Sequence, residues 1–341
     1  ASTILPQADT RSVKLMHVMR AEVPGPTVGK LVSKIGRTAR IMYGLYILLT
    51  FIEVVLLLVG GMPLFDSLVN SFGTAGTGGF AIKNVSIAYY DSAYMDYVIG
   101  IFMVLFGINF NLYYLIALGN ILEVLKSEEL RWYIGIVVGS TALIALDIYQ
   151  IFGNVADSIR YAFFQVSSII TTTGYATYDF NTWPALSQII LVLLMFCGAC
   201  AGSTGGGIKV GRIIILIKSG LREIKYMLHP RAVVPIRFEG KSADKDVVRG
   251  ATSFLIVYIM LFTASLFFIE MIEECDLVTG FTAVAACINN VGPGLGDVGP
   301  AGNFAWLSDA STLILSFDML AGRLEIFPII MLFAPQTWKN R

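Results

Sequence analysis

Three times in this chain a few small and polar residues end a short apolar stretch and are followed by a much longer one. The clearest case is Thr171-Thr172-Thr173-Gly174-Tyr175, which follows the apolar-rich residues 159–170 and precedes Ile189-Ile190-Leu191-Val192-Leu193-Leu194-Met195-Phe196. The upstream stretch makes about three helical turns at roughly 3.6 residues each, whereas a helix needs about 20 residues to cross a bilayer. A threonine run closed by glycine, entered by a half-length helix and left by a spanning one, suits a cation filter. Its backbone carbonyls replace water around the ion, and glycine permits the dihedrals that turn several carbonyls the same way. A single such stretch is more often an ordinary threonine-rich loop. Repetition separates the two readings, because it fixes an architecture. Residues 71–80, Ser71 to Phe80, align on residues 167–176 with Gly78 opposite Gly174, and Cys287-Ile288-Asn289-Asn290-Val291-Gly292-Pro293-Gly294 puts Gly292 there. The unit is spanning helix, half-helix, filter strand, spanning helix.

An all-α integral membrane fold is therefore expected. Composition agrees: 56% of the 341 residues are hydrophobic and 14% charged, against about 45–50% and about 25% in soluble domains. The formal net charge is zero, so no global field argues for nucleic acid. Cys197 and Cys200 form a CxxC inside an apolar run without a second pair, and His17 and His229 sit in charged connections, which argues against zinc or redox chemistry. Residues 202–209 look superficially like a phosphate-binding loop, but Val210 follows the lysine and no strand precedes it. Gly292-Pro293-Gly294-Leu295-Gly296 is not GxGxxG. No catalytic constellation is found, so an enzyme is not expected.

In chain order, residues 1–40 are basic and broken by Pro24-Gly25-Pro26, as in a cytoplasmic linker. A first repeat is expected over 41–122, with spans at about 41–60 and 97–122, a half-helix at 64–72 and a filter at 74–80. A second is expected over 131–228, with a span at about 132–152, a half-helix at 155–170 and a filter at 171–176. Residues 218–249 are expected to form a basic hydrophilic loop, with 229–249 a cytoplasmic segment between the second and third repeats. A third repeat covers 250–341, with spans at about 250–272 and 305–335, a half-helix at 276–288 and a filter at 289–294. Glu53, Asp147 and Asp318 lie in spans, where charge is expensive and faces protein or water; they are candidates for proton or sodium coupling, which the sequence leaves open. The stretches flanking the filters (61–96, 153–184, 273–305) hold only Lys83 and Arg160 as cations, against Asp66, Asp91, Asp96, Asp157, Asp179, Glu273, Glu274, Asp276 and Asp297. By the positive-inside rule the filters open outward, with an acidic mouth that concentrates cations.

The span that begins near residue 185 is interrupted at mid-membrane over residues 198–211, which include Gly198, Gly202, Ser203, Thr204, Gly205, Gly206 and Gly207. Three successive glycines cost a helix about 1 kcal/mol each relative to alanine. Broken backbone at this depth must pack in protein or line a water-filled cavity. Two readings follow: a close helix crossing through small residues, or a flexible loop beneath the filter that gates it, which we prefer. In the last span Arg323 and Glu325 form either a structural ion pair or, for Arg323, a pore-lining charge that raises the barrier to cations.

Taken together, Thr171-Thr172-Thr173-Gly174-Tyr175, the glycine-rich break from Ala201 to Arg212, Asn289 to Gly294, and Gly322-Arg323-Leu324-Glu325 resemble the Trk/Ktr/HKT superfamily of potassium transporters, nearest to the membrane subunits of bacterial Trk uptake systems. The resemblance covers essentially the whole chain, including Glu22-Val23-Pro24-Gly25-Pro26. It implies four helix–pore-loop–helix repeats around a pseudo-fourfold pore, of which three are visible, so the chain is expected to be a fragment lacking the first. It implies potassium as substrate, bound at Ala75, Gly76, Thr77, Gly78, at Thr171, Thr172, Thr173, Gly174, and at Asn289, Asn290, Val291, Gly292, with no cofactor. It further implies residence in the cytoplasmic (inner) membrane, the gate at 198–211, Arg323 and Glu325 in the pore, a homodimer, and a cytoplasmic ring of nucleotide-binding (RCK-type) subunits as partner. Plant relatives with serine for a filter glycine prefer sodium; glycine at all three aligned positions favours potassium over a sodium or mixed transporter. A non-conducting receptor or scaffold on the same fold is the remaining alternative.

Overall fold

The computed structural model describes residues 35–231, 234–324 and 326–333. The expected linker 1–40 lies almost wholly outside them. At its end the structure differs, for α1 already runs over Ile35–Val59. The first repeat continues with α2 (Leu64–Ala75), α3 (Ala93–Phe106) and α4 (Phe110–Ala117). A short α5 (Ile121–Lys126) leads to α6 (Glu128–Phe152), α7 (Val155–Ile170), α8 (Ala185–Phe196) and α9 (Val210–Leu228). An antiparallel hairpin of β1 (Arg237–Phe238) and β2 (Lys241–Ser242) precedes α10 (Lys245–Ile272), α11 (Leu277–Ile288), α12 (Asp309–Arg323) and α13 (Ile326–Phe333).

Each repeat opens with one continuous helix, α1, α6 or α10, long and apolar enough to cross a membrane. Their outer faces keep Phe51, Leu146, Phe267 and Met271 exposed, as lipid-facing side chains should be. Start and stop signals are local. Ser127 caps α6, accepting from Leu130 N, Glu128 and Glu129 complement its positive end, and Gly153 at φ 62° stops it. Asn154 then caps α7 by accepting from Ala156 N, so the two helices are joined by two residues.

The second helix of every repeat is broken, where the sequence suggests a break only in the middle one. The expected span 97–122 is α3 and α4, bent by 92° at residues 107–109. Asn109 causes the turn: its side chain accepts from Asn111 N and starts a new helix. The expected span 305–335 ends at Arg323 and restarts at Ile326. In the middle repeat the break extends from Cys197 to Lys209. The basic segment after it is not loop throughout, since α9 runs on to Leu228.

Between the halves of each repeat sits a short helix, α2, α7 or α11, of 12, 16 and 12 residues. At 1.5 Å per residue these reach about 18–24 Å, less than a ~30 Å hydrocarbon core. Acids mark their outer ends: Asp66 and Asp157 in first turns, and Asp276 as the cap of α11. Their C-terminal ends, which carry the negative pole of the helix dipole, meet at the filters. The middle one, α7, buries Ala162, Phe164, Val166, Ile169 and Ile170 among α6, α8 and α3.

Candidate ion pathway and gate

The three filters are the same backbone motif. The helices end with C-caps at Gly76, Thr171 and Asn289. The next residue is left-handed in each, Thr77 at φ 49°, Thr172 at 57° and Asn290 at 56°, and two residues later comes a positive-φ glycine, Gly79, Gly174 or Gly292. The amide of the residue between them returns to the helix each time: Gly78 N to Gly73 O, Thr173 N to Ser168 O, Val291 N to Ala286 O. This corrects the alignment of the first filter by one residue. Gly79, not Gly78, is the counterpart of Gly174 and Gly292, and Ala75 belongs to the last turn of α2. Register follows from where the helix ends, which two adjacent glycines do not disclose in sequence.

The strands lie side by side at distances that only glycine allows. A Cβ on Gly79 would stand 1.8 Å from Thr173 O, and one on Gly174 2.1 Å from Val291 O. Thus the carbonyls of Thr173 and Val291, each just before a filter glycine, face the neighbouring filter. Among the described residues, the carbonyls of Thr77, Gly78, Thr172, Thr173, Asn290 and Val291 accept no hydrogen bond. Unpaired carbonyls at the negative ends of three helices are the kind of group that can replace water around a cation.

The surroundings hold this backbone in place. Tyr175, fully buried, donates its hydroxyl to Asn70 O on the neighbouring pore helix at 3.0 Å, and Ser168 Oγ donates to Tyr175 O at 2.6 Å. Thr171 Oγ1 donates to Ser167 O and lies 2.8 Å from Thr173 Oγ1. Tyr258 donates to Asn289 Oδ1, while Asn290 Nδ2 donates to Met319 O. On the outer side, several of the nine acids have structural work: Asp96 pairs with Arg160 at 2.6 Å, Asp66 accepts from Tyr90, and Glu273 accepts from Ser308. Fewer of these carboxylates are therefore free to attract cations than their count suggests.

Residues 197–209 lie directly below the filters, touching all three. Thr77 Oγ1 donates to Thr204 O at 3.0 Å, Gly206 N donates to Thr172 Oγ1 at 2.6 Å, and a Cβ on Gly206 would stand 2.6 Å from Asn289 O. Gly205 faces Thr171 O in the same way, at 3.1 Å. Gly198 N donates to Ile208 O, closing the loop's neck. Gly202 O accepts from Phe110 N, Ser203 Oγ donates to Cys200 O, and Thr204 and Cys200 bond the carbonyls of Phe106 and Gly107 at the bend in the first repeat. Gly207 adopts φ 66°. The break is thus an irregular segment packed against all three helix-ending turns, not a tight crossing of two helices.

Arg323, at the broken end of α12, reaches Gly76 O at 3.1 Å and Thr77 Oγ1 at 3.3 Å. Its guanidinium stands below the first filter; Glu325 lies outside the described residues. Glu53 is fully buried with neither carboxylate oxygen paired among the described residues, beside the Thr74 hydroxyl behind that filter. Asp147 Oδ2 accepts from Ser187 N and Oγ, and Asp318 Oδ1 accepts from Ser265 Oγ, so the three intramembrane carboxylates do not meet. Sequence reasoning missed Lys209, 1% exposed with Nζ on Gly205 O, and Glu129, 5% exposed, whose Oε1 accepts from Ala201 N and Gly211 N. A charge beside the glycine run was the available signal for Lys209; Glu129 stands in a charged turn and nothing there tells which acid points inward.

The TrkH cation transport protein family matches residues 4–340. The chain belongs to that family. A Trk system potassium uptake protein TrkH of Salmonella typhimurium is 37% identical over 331 residues, covering 95% of this chain and 68% of the relative. The Trk system potassium uptake protein TrkG of Escherichia coli is 35% identical over 345 residues, covering 100% and 70%. Among solved structures, the potassium transporter TrkH from Vibrio parahaemolyticus superposes with a TM-score of 0.83 at 35% identity, over 92% of this chain and 67% of that one. As a TrkH-family member, this chain is a multi-pass inner-membrane cation transport protein, and the all-α repeat fold read from its sequence agrees with that neighbour.

Proposed function

We propose that this protein conducts potassium into the cell through the passage lined by the three filters, with residues 197–209 as its gate and Arg323 as a fixed charge below the selective region. The observation that supports this is the matched geometry at residues 76–79, 171–174 and 289–292: a helix C-terminus, a left-handed residue and a positive-φ glycine, with Gly79 and Gly174 set against the next segment's carbonyl. Potassium is favoured over sodium because glycine stands at all three structurally matched positions and because relatives at 35–37% identity are named for potassium uptake. The fourth repeat that the resemblance calls for closes the ring, so transport belongs to the closed assembly. A homodimer bearing a ring of nucleotide-binding subunits on its cytoplasmic face is the assembly in which we expect the gate to be controlled. The test is uptake into proteoliposomes carrying the whole gene product. Rubidium should enter faster than sodium, and G174A should narrow that difference; equal rates for both ions would contradict the potassium reading.

A further inference from the structure

The part of the intramembrane loop that touches the filters is bonded on both sides to one oxygen atom. Glu129 Oε1, in the first turn of α6, accepts from Ala201 N at 2.8 Å and from Gly211 N at 2.9 Å. These two amides bracket Gly202 to Gly207, the part of the loop that touches the filters. A carboxylate accepting two backbone N–H groups is a strong, charge-assisted clasp, and without it two amides in a buried setting lose their acceptor. The loop's other ties include the neck bonds from Gly198 N to Ile208 O and from Val210 N to Ala199 O, the bond from Lys209 Nζ to Gly205 O, and bonds to the first repeat and to Thr172.

Glu129 is itself positioned from the cytoplasmic side. Its backbone N–H donates to Glu239 Oε1 at 2.9 Å, and Ser127 Oγ donates to the same oxygen at 2.9 Å. Glu239 forms the tip of the β1–β2 hairpin, outside the membrane-spanning helices and exposed. The hairpin does not float: Ile236 packs with Ile215, Val248 and Ala251, and Phe238 lies against this group. Lys218 ties the same corner together, donating to Arg237 O and pairing with Glu128. The Phe238 ring also approaches the place where a Cβ on Gly211 would stand, at 3.2 Å, so the hairpin abuts the outer end of the clasp.

We infer that Glu129 is the positioning residue that keeps the intramembrane loop against the filters, and that the cytoplasmic hairpin, through Glu239, sets where Glu129 sits. Displacing the hairpin then loosens the loop. This inference rests on the reading of residues 197–209 as a gate only for its effect on transport; the mechanical link is independent of it.

The experiment uses the whole protein in proteoliposomes, with hydrogen–deuterium exchange at Thr204 and Gly206 read beside rubidium uptake. The amides of Thr204 and Gly206 bond to Phe106 O and Thr172 Oγ1 rather than to Glu129, so they report movement of the loop and not the mere loss of an acceptor. E129A should speed exchange at both by at least tenfold and raise uptake several-fold. E129Q, whose amide oxygen can accept the same two bonds, should stay near the parent. E239A, at an exposed tip where folding is not at stake, should shift both readouts in the same direction by a smaller factor. Unchanged exchange in E129A overturns the clasp, and unchanged exchange in E239A overturns the link to the hairpin. Should E129A fail to fold, a parent-like E129Q with faster exchange in E239A supports the inference, and a parent-like E239A overturns it. Faster exchange with unchanged uptake upholds the clasp and sinks the gate reading instead.

Discussion

At Gly79 and Gly78 two chemically identical neighbours have different duties. Gly79 sits at φ 64° with Thr173 O where a methyl would go, whereas a Cβ on Gly78 meets only the Phe80 ring at 3.3 Å. Alanine at 79 carries left-handed strain of about 1–3 kcal/mol plus a backbone collision, while at 78 a flexible ring can yield. G79A should therefore abolish selective uptake and G78A should leave most of it; the opposite ranking would return the register to the one read from sequence. Arg323 holds its guanidinium against Gly76 O and Thr77 Oγ1. R323A should raise flux or weaken selectivity at unchanged thermal stability, and a loss of stability alone would make it a structural group. Arg160 is a different case. It pairs with Asp96, side chain 3% exposed, at 2.6 Å and with Asp91, 86% exposed, at 3.7 Å. Leaving Asp96 buried without its partner should cost about 3–5 kcal/mol, so R160A should lower the unfolding temperature markedly. D91A removes an exposed pair worth about 0–1 kcal/mol and should barely shift it.

Among the elements, the intramembrane loop and the capped pore helices make separable predictions. Removing Gly205 to Gly207 takes away the contacts to Thr171, Thr172 and Asn289 and should raise flux with the fold intact. Lost flux in folded protein would mean that the loop holds the filters up instead of closing them. Asp276 caps α11, and the Thr279 hydroxyl, against an opposing effect of burial and helped by the Thr279 and Val278 amides, holds its carboxyl below the usual range. A depressed folded-state pKa stabilises above the ordinary carboxylate range and is lost as pH falls through the folded value. D276N should thus be less stable than the parent at neutral pH, with the gap closing in acid; a gap that persists in acid would exclude the charge as its source. Which elements exist was legible because half-helix, filter and span alternate three times in hydropathy and small-residue content. Their breaks were less so. Gly107 and Asn109 turn a helix by 92°, yet a glycine and an asparagine in an apolar run also suit an unbroken span that hydrogen-bonds its neighbours.

Over the whole molecule, the repeat carries the account: continuous helix, pore helix, filter and broken helix recur three times, and the filters face one another across distances that admit no side chain. The fold was readable from the chain because bilayer length and backbone satisfaction leave few alternatives. What brings Glu129, Glu239 and Gly211 together was not, since contacts between residues about a hundred positions apart leave no periodic trace in sequence. The measurement that bears most directly on the filters is rubidium uptake by the whole protein in proteoliposomes, competed by potassium or by sodium, in the parent and in G174A. The account predicts that potassium competes at far lower concentration than sodium in the parent and that G174A brings the two together. Equal competition in the parent, or an unchanged ratio in folded G174A, would contradict it.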